Sequence, residues 1–122
     1  KRLHLMAGIA DSRDAQAVAA FRRSVAWVAE EFGRHGIDTV IEPINPRDVP
    51  GYFLNDFAFA RDLITELNHP NLKLQFDIYH CQIVHGDVTM RLREMMPMIG
   101  HIQIAVAQRA GQRGTELSVP VR

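Results

Sequence analysis

A single cysteine, Cys81, stands in a chain of 122 residues. One thiol closes no internal disulfide, which fits a reducing, cytoplasmic setting. Long apolar runs are missing as well. None approaches the roughly 20 residues of a membrane span, and the opening Lys1-Arg2-Leu3-His4-Leu5-Met6 has no signal-peptide apolar core. No charge of one sign dominates: Lys and Arg number 14, Asp and Glu 14. That balance argues against a nucleic-acid protein, which usually carries a basic excess or stripe. A small anionic substrate stays open, because it needs only one local basic group. A glycine-rich phosphate turn is lacking too, since Gly8-Ile9-Ala10-Asp11 after the first apolar run is not one. What is present is a globular composition, 47% hydrophobic and 23% charged, which excludes a disordered chain.

Apolar residues recur at helical spacing in three stretches, separated by short apolar runs. Residues 3–7 read as a strand. Ser12 or Asp14 caps a helix with the stripe Ala15, Val18, Val25, Val28 and Phe32, stopped by Gly33 and Gly36. Residues 37–44 form the next strand, and Pro46, Pro50 and Gly51 enforce a loop. Asn55 caps a second helix with Ala60, Leu63, Ile64 and Leu67 on one face, broken at His69-Pro70-Asn71. Residues 72–79 read as the third strand. Asp87 caps a third helix carrying Val88, Leu92, Met95, Met96 and Ile99, ended by Pro97 and Gly100, and residues 101–105 read as the fourth strand. The expectation is an α/β chain of order βαβαβαβ, over residues 1–105, with a divergent C-terminal tail at 106–122. Right-handed crossovers make all four strands parallel. An open sheet fits the length, whereas a complete (β/α)₈ barrel takes about 250 residues.

Strands buried on both faces in a parallel sheet should be almost wholly apolar. These are not. Alternation in the third strand sets Leu72, Leu74, Phe76 and Ile78 against Lys73, Gln75, Asp77 and Tyr79. In the fourth, Ile102 and Ile104 oppose His101 and Gln103, and Glu42 closes the second. In a barrel such polar faces converge at the C-terminal mouth, where sites lie. Two carboxylates and an amide oxygen suit a hard divalent cation such as Mg²⁺ or Mn²⁺. The competing reading pairs Glu42 and Asp77 with Lys or Arg inside a packed barrel. His80, three residues after Asp77, suits a substrate ligand or proton carrier, or equally a loop histidine bonded to backbone. His4, His35, His69 and His85 carry no spacing signal and read as surface or structural. Arg47 and Asp48 either line a mouth or are solvated; Tyr52-Phe53-Leu54 make an apolar wall, a lid or ordinary packing. Cys81 reads as a small buried residue and not a nucleophile, because no base is placed beside it.

Three motifs stand out: Glu42-Pro43-Ile44-Asn45-Pro46-Arg47-Asp48-Val49-Pro50-Gly51-Tyr52-Phe53, then Leu74-Gln75-Phe76-Asp77-Ile78-Tyr79-His80, then Gly100-His101-Ile102-Gln103-Ile104-Ala105. Together they resemble the hydroxypyruvate isomerase family of xylose-isomerase-like (β/α)₈ barrels. By that pattern the chain corresponds to the fourth to seventh β/α units, a half TIM barrel. The resemblance implies a divalent metal (Mg²⁺ or Mn²⁺) held by Glu42, Asp77 and Gln103. It implies substrate contacts from His80 and Arg109, and Glu42 as a catalytic carboxylate that moves a proton. The implied reaction interconverts hydroxypyruvate and tartronate semialdehyde, or a related hydroxy or keto sugar acid. The family's fourth ligand, an eighth-strand glutamate that is also its second proton-transfer group, has no counterpart here. After Ala105 only Gly114-Thr115-Glu116 echoes the family's loop.

Two functions therefore stand side by side. One is an isomerase, in which two copies pair as a homodimer to close a barrel and bury the sheet edges that a half-barrel exposes. The other is a catalytically inactive remnant or a metal- or sugar-acid-binding module. A DNA-repair nuclease on the same fold is disfavoured by the zero net charge and the scarcity of metal-binding histidines.

Overall fold

Asp14 begins the first helix, its carboxylate accepting from the Gln16 amide at 2.9 Å. In this computed structural model, which describes residues 1–105 and the backbone of 116–120, helix α1 spans Ala15–Gly33. Its buried stripe is Phe21, Val25, Val28 and Ala29, the i, i+4, i+7, i+8 pattern of one helical face. The stop is a Schellman closure: Gly36 takes φ +66°, its amide donates to the Gly33 carbonyl, and the Ile37 amide donates to that of Phe32.

Before α1 comes strand β1, Arg2–His4; after it come β2, Asp38–Ile41, and helix α2, Phe57–Leu67. The cap of α2 is Asp56, whose carboxylate accepts from the Ala58 amide, and not Asn55, which donates to the Tyr52 carbonyl. Asn68, left-handed at φ 45°, ends it. Strand β3 is Leu72–Asp77, helix α3 is Ile78–Val84, and helix α4 is Val88–Met95, followed by a 3₁₀ turn at Met96–Met98. Strand β4 is Ile99–Ala105 and β5 is Glu116–Pro120.

The sheet order is β1-β2-β3-β4-β5, with β1 to β4 parallel. This is the expected half-barrel. Within the tail, β5 pairs antiparallel with β4. Nothing periodic in the sequence signals β5; the open backbone groups of β4's edge supply the pairing. One bulge interrupts the β3–β4 ladder: Leu74 pairs with Ile99, but Gln75 pairs with His101, so β4 carries one extra residue. That residue is Gly100. A Cβ there would lie 2.7 Å from the Lys73 Cβ, so only glycine fits.

One apolar cluster joins the helices to one face of the sheet. Ile41, Leu72, Leu74, Phe76 and Ile99 pack with Phe21, Val25, Phe57, Leu63 and Met95. The Phe57 and Phe76 rings meet edge-on at 5.3 Å, a contact adding about 0.5–1.5 kcal/mol beyond area burial. Tyr52, Phe53 and Leu54 are core residues, each at most 2% exposed, which decides for packing over a lid. The opposite face carries His4, Glu42, Lys73, Gln75, Asp77, His101 and Gln103, set there by alternation and the ladder register. Among the described residues no helix is long and apolar enough to cross a membrane.

Candidate metal centre

Glu42 follows the last residue of β2 and Asp77 is the last residue of β3, so both arrive at carboxyl ends of parallel strands. Both are buried, at 5% and 2% exposure. Burying two carboxylates is expensive unless something compensates each. Part of Asp77's compensation is local. One of its carboxylate oxygens accepts from the amides of Tyr79 (2.7 Å) and His80 (3.2 Å). These are the free N–H groups of α3, and Asp77 is its cap. Alternation alone extends the strand to Tyr79; the cap turns the chain into a helix two residues earlier.

That early turn decides where His80 goes. It lies in the first turn of α3, folded back toward the strand ends. One ligand atom each from Glu42, Asp77 and His80 falls within 4.8 Å of the others. Gln103, on β4, is the ladder partner of Asp77, and its side-chain oxygen accepts from Gln75 Nε2 at 2.7 Å. Gln75 is itself buried, so the Gln103 amide is held against a fixed neighbour on the polar face of the sheet. Of the site residues expected from sequence, Glu42, Asp77 and His80 are brought together, and Gln103 stands beside Asp77 in the ladder. Arg109 lies outside the described residues.

Three participants escaped the sequence reading. Gln75 is the first. His4, read as surface or structural, puts Nε2 3.5 Å from Glu42 Oε2. Burial, and secondarily His101, pushes its pKa below the ordinary imidazole value, favouring the neutral ring. Period-two alternation along β1, which sets His4 level with Val40, was the available signal. Asn45 is the third. It is fully buried, its Oδ1 accepts from the amides of Arg47 and Asp48, and its Nδ2 meets Asp48 Oδ2 at 2.9 Å and His80 Nδ1 at 2.7 Å. An Asx turn at Asn45-Pro46 is the corresponding sequence signal. Asp48 also accepts from the Tyr79 hydroxyl at 3.3 Å, which makes it a paired residue at the rim although it is exposed. Cys81 is buried, and burial raises its thiol pKa, in line with a packing role.

The donor chemistry fits a divalent cation. Two buried carboxylates offer hard oxygen donors, and the Gln103 amide, hydrogen-bonded to Gln75, lies on the same face of the sheet. An imidazole in the same cluster would widen the choice toward first-row transition ions.

Residues 1–120 match the family described as "Xylose isomerase-like TIM barrel". The chain is 45% identical over 122 residues to a 2-oxo-tetronate isomerase of Cupriavidus necator, covering 98% of this chain and 47% of that protein. It is 36% identical over 97 residues to a hydroxypyruvate isomerase of Escherichia coli, covering 80% of this chain and 38% of that one. Among solved structures, a family 2 AP endonuclease from Brucella melitensis superposes with TM-score 0.79 at 37% identity, over 85% of this chain and 41% of that one. The chain thus spans about half the length of the curated relatives it matches.

Proposed function

The chain belongs to the xylose isomerase-like TIM barrel family, and from that premise we propose that it serves an aldose–ketose type isomerisation of a small sugar acid. The substrate class is hydroxypyruvate with tartronate semialdehyde, or a 2-oxo-tetronate, as the names of its relatives suggest. The observation that carries the reading is the convergence of Glu42, Asp77 and His80 at the carboxyl ends of parallel strands, where barrels keep their chemistry.

Glu42, Asp77 and Gln103 would hold a divalent cation, Mg²⁺ or Mn²⁺. When bound, such an ion supplies Lewis-acid polarisation of the substrate carbonyl. Glu42 would act as one of the two acid–base carboxylates that move the proton between neighbouring carbons. His80 contacts a substrate oxygen. Arg109 remains a substrate contact on the strength of its motif position. A second copy of the chain, as a homodimer, would cover the polar sheet face and the open edge of β1, since β5 already occupies the edge of β4; a monomeric mass in light scattering excludes it.

The test is Mn²⁺ binding by calorimetry alongside turnover of hydroxypyruvate, for the natural chain and for Glu42→Gln. Turnover that Glu42→Gln abolishes supports the isomerase. Metal binding that Glu42→Gln weakens, without turnover, supports a binding module instead. Absence of Mn²⁺ binding sinks the metal site altogether.

A further inference from the structure

Neutral histidine exists as two tautomers, and the hydrogen bond made by one ring nitrogen decides what the other can do. In this fold the choice is written in the partners of Asn45. Its Oδ1 accepts from two backbone amides, Arg47 and Asp48, both at 3.0 Å. That end of the amide is therefore the oxygen. The other end is 2.9 Å from a carboxylate oxygen of Asp48, which accepts only. Nδ2 has two hydrogens. One goes to Asp48 and the second points to His80 Nδ1, 2.7 Å away. The backbone amide of Asn45 faces the same nitrogen at 3.4 Å. His80 Nδ1 thus meets donors from both directions and must present its lone pair.

We propose that Asn45 is a positioning residue that holds His80 as the Nε2–H tautomer, so that His80 meets the substrate as a hydrogen-bond donor and takes no part in holding the metal. Both ring nitrogens are then committed: the Nδ1 lone pair is filled by Asn45, and Nε2 carries a proton and offers no lone pair. Proximity alone admits His80 as a ligand with Glu42 and Asp77. The hydrogen-bond accounting removes it and leaves Gln103 as the third protein ligand. A donor at that place suits an oxygen of a hydroxy or keto acid. The substrate clause rests on the function proposed above, whereas the tautomer clause does not.

The measurement is ¹H–¹⁵N correlation in uniformly ¹⁵N-labelled full chain, long-range for the imidazole nitrogens and one-bond for the backbone amides, first without metal and then with Mg²⁺ added. In the natural chain His80 should show a protonated Nε2 and a bare Nδ1. An Nδ1–H pattern overturns the proposal without recourse to any variant. Asn45→Ala should lower the tautomer ratio by about tenfold, the worth of one hydrogen bond. The pattern of His85, whose Nε2 is held against the Phe57 amide and Asp56 by the fold, should be unchanged in that variant, which guards against simple unfolding. Asn45→Asp combined with Asp48→Asn exchanges donor and acceptor and should flip His80 to Nδ1–H. An unmoved His80 pattern in both folded variants overturns the positioning role. On adding Mg²⁺, the Asp77 backbone amide should shift while His80 keeps its Nε2–H pattern. A His80 ring nitrogen that becomes metal-bound overturns the proposal. If no signal responds to Mg²⁺, the metal reading fails while the tautomer assignment stands.

Discussion

Gly33 closes α1, and general helix propensity says alanine should be better there. Glycine costs up to about 1 kcal/mol relative to alanine inside a helix, less at its last residue. The surroundings reverse the sign. A Cβ on residue 33 would lie 2.5 Å from Asn71 Nδ2 and 2.6 Å from its Oδ1. Asn71 cannot simply move aside. Its Nδ2 donates to the Ala29 carbonyl at 2.7 Å and the Ile37 carbonyl at 3.3 Å, tying the end of α1 to the approach to β2. Losing both bonds costs about 1–3 kcal/mol at 0.5–1.5 each. Against a gain of at most about 1 kcal/mol, Gly33→Ala should destabilise by about 1–2 kcal/mol. In urea unfolding that is a midpoint lowered by about 1 M with an unchanged slope. The decisive comparison is made in an Asn71→Ala background, where the obstacle is gone. There Gly33→Ala should be neutral or mildly stabilising, giving a coupling of about 1–2 kcal/mol. A raised midpoint in the natural background, or simple additivity of the two changes, refutes the reasoning. Neither change should alter Mn²⁺ affinity, because Asn71 lies at the amino end of β3 and the carboxylates at the other.

Glu94 carries the pH prediction. A hydrogen bond from Arg61, with the charge of Arg61 and lesser interactions with Arg91, holds its carboxyl below the ordinary glutamate value. Its share of stability is complete above the unfolded-state pKa and disappears as pH falls through the lower folded value. Glu94→Gln should therefore leave less acid sensitivity in the melting temperature below about pH 4.5, and an unchanged slope would remove Glu94 from the account. Tyr52→Phe addresses the loop: the hydroxyl accepts from the Ala7 amide at 2.9 Å, so its loss should destabilise by about 1–3 kcal/mol. Calorimetric melting checks this, and a Tm within error of the natural chain would show that water replaces the hydroxyl.

Periodicity revealed the elements of this fold because each helix has one buried stripe. Asp14, Val25, Val28, Leu63 and Met95 all do what their spacing implies. Burial on one side only also made the polar strand faces legible, with Glu42, Asp77 and Gln103 on them. What escaped was set by contacts distant in sequence. Residue 78 follows strand alternation, but the Asp77 cap redirects it into helix. Asp56 wins the α2 cap because Asn55 is occupied with the Tyr52 carbonyl. His4 meets Glu42 from 38 positions away in the chain, a proximity that only the β1–β2 register creates. Likewise, Asn45 reads as one more turn residue until His80 is brought against it from 35 positions away.

Strand order in the sheet repeats strand order in the chain from β1 to β4, and this bears on how the protein is made. Ribosomes release about 5–20 residues each second, so one strand–helix unit takes seconds to emerge. Helices and loops close within microseconds. Every new parallel strand therefore finds its neighbour already synthesised and has ample time to dock before the next appears. β2 can settle on β1 while β3 is still unmade, and no parallel strand waits for a later one to be inserted between it and its predecessor. The fold grows by accretion along one advancing edge, in the direction of translation.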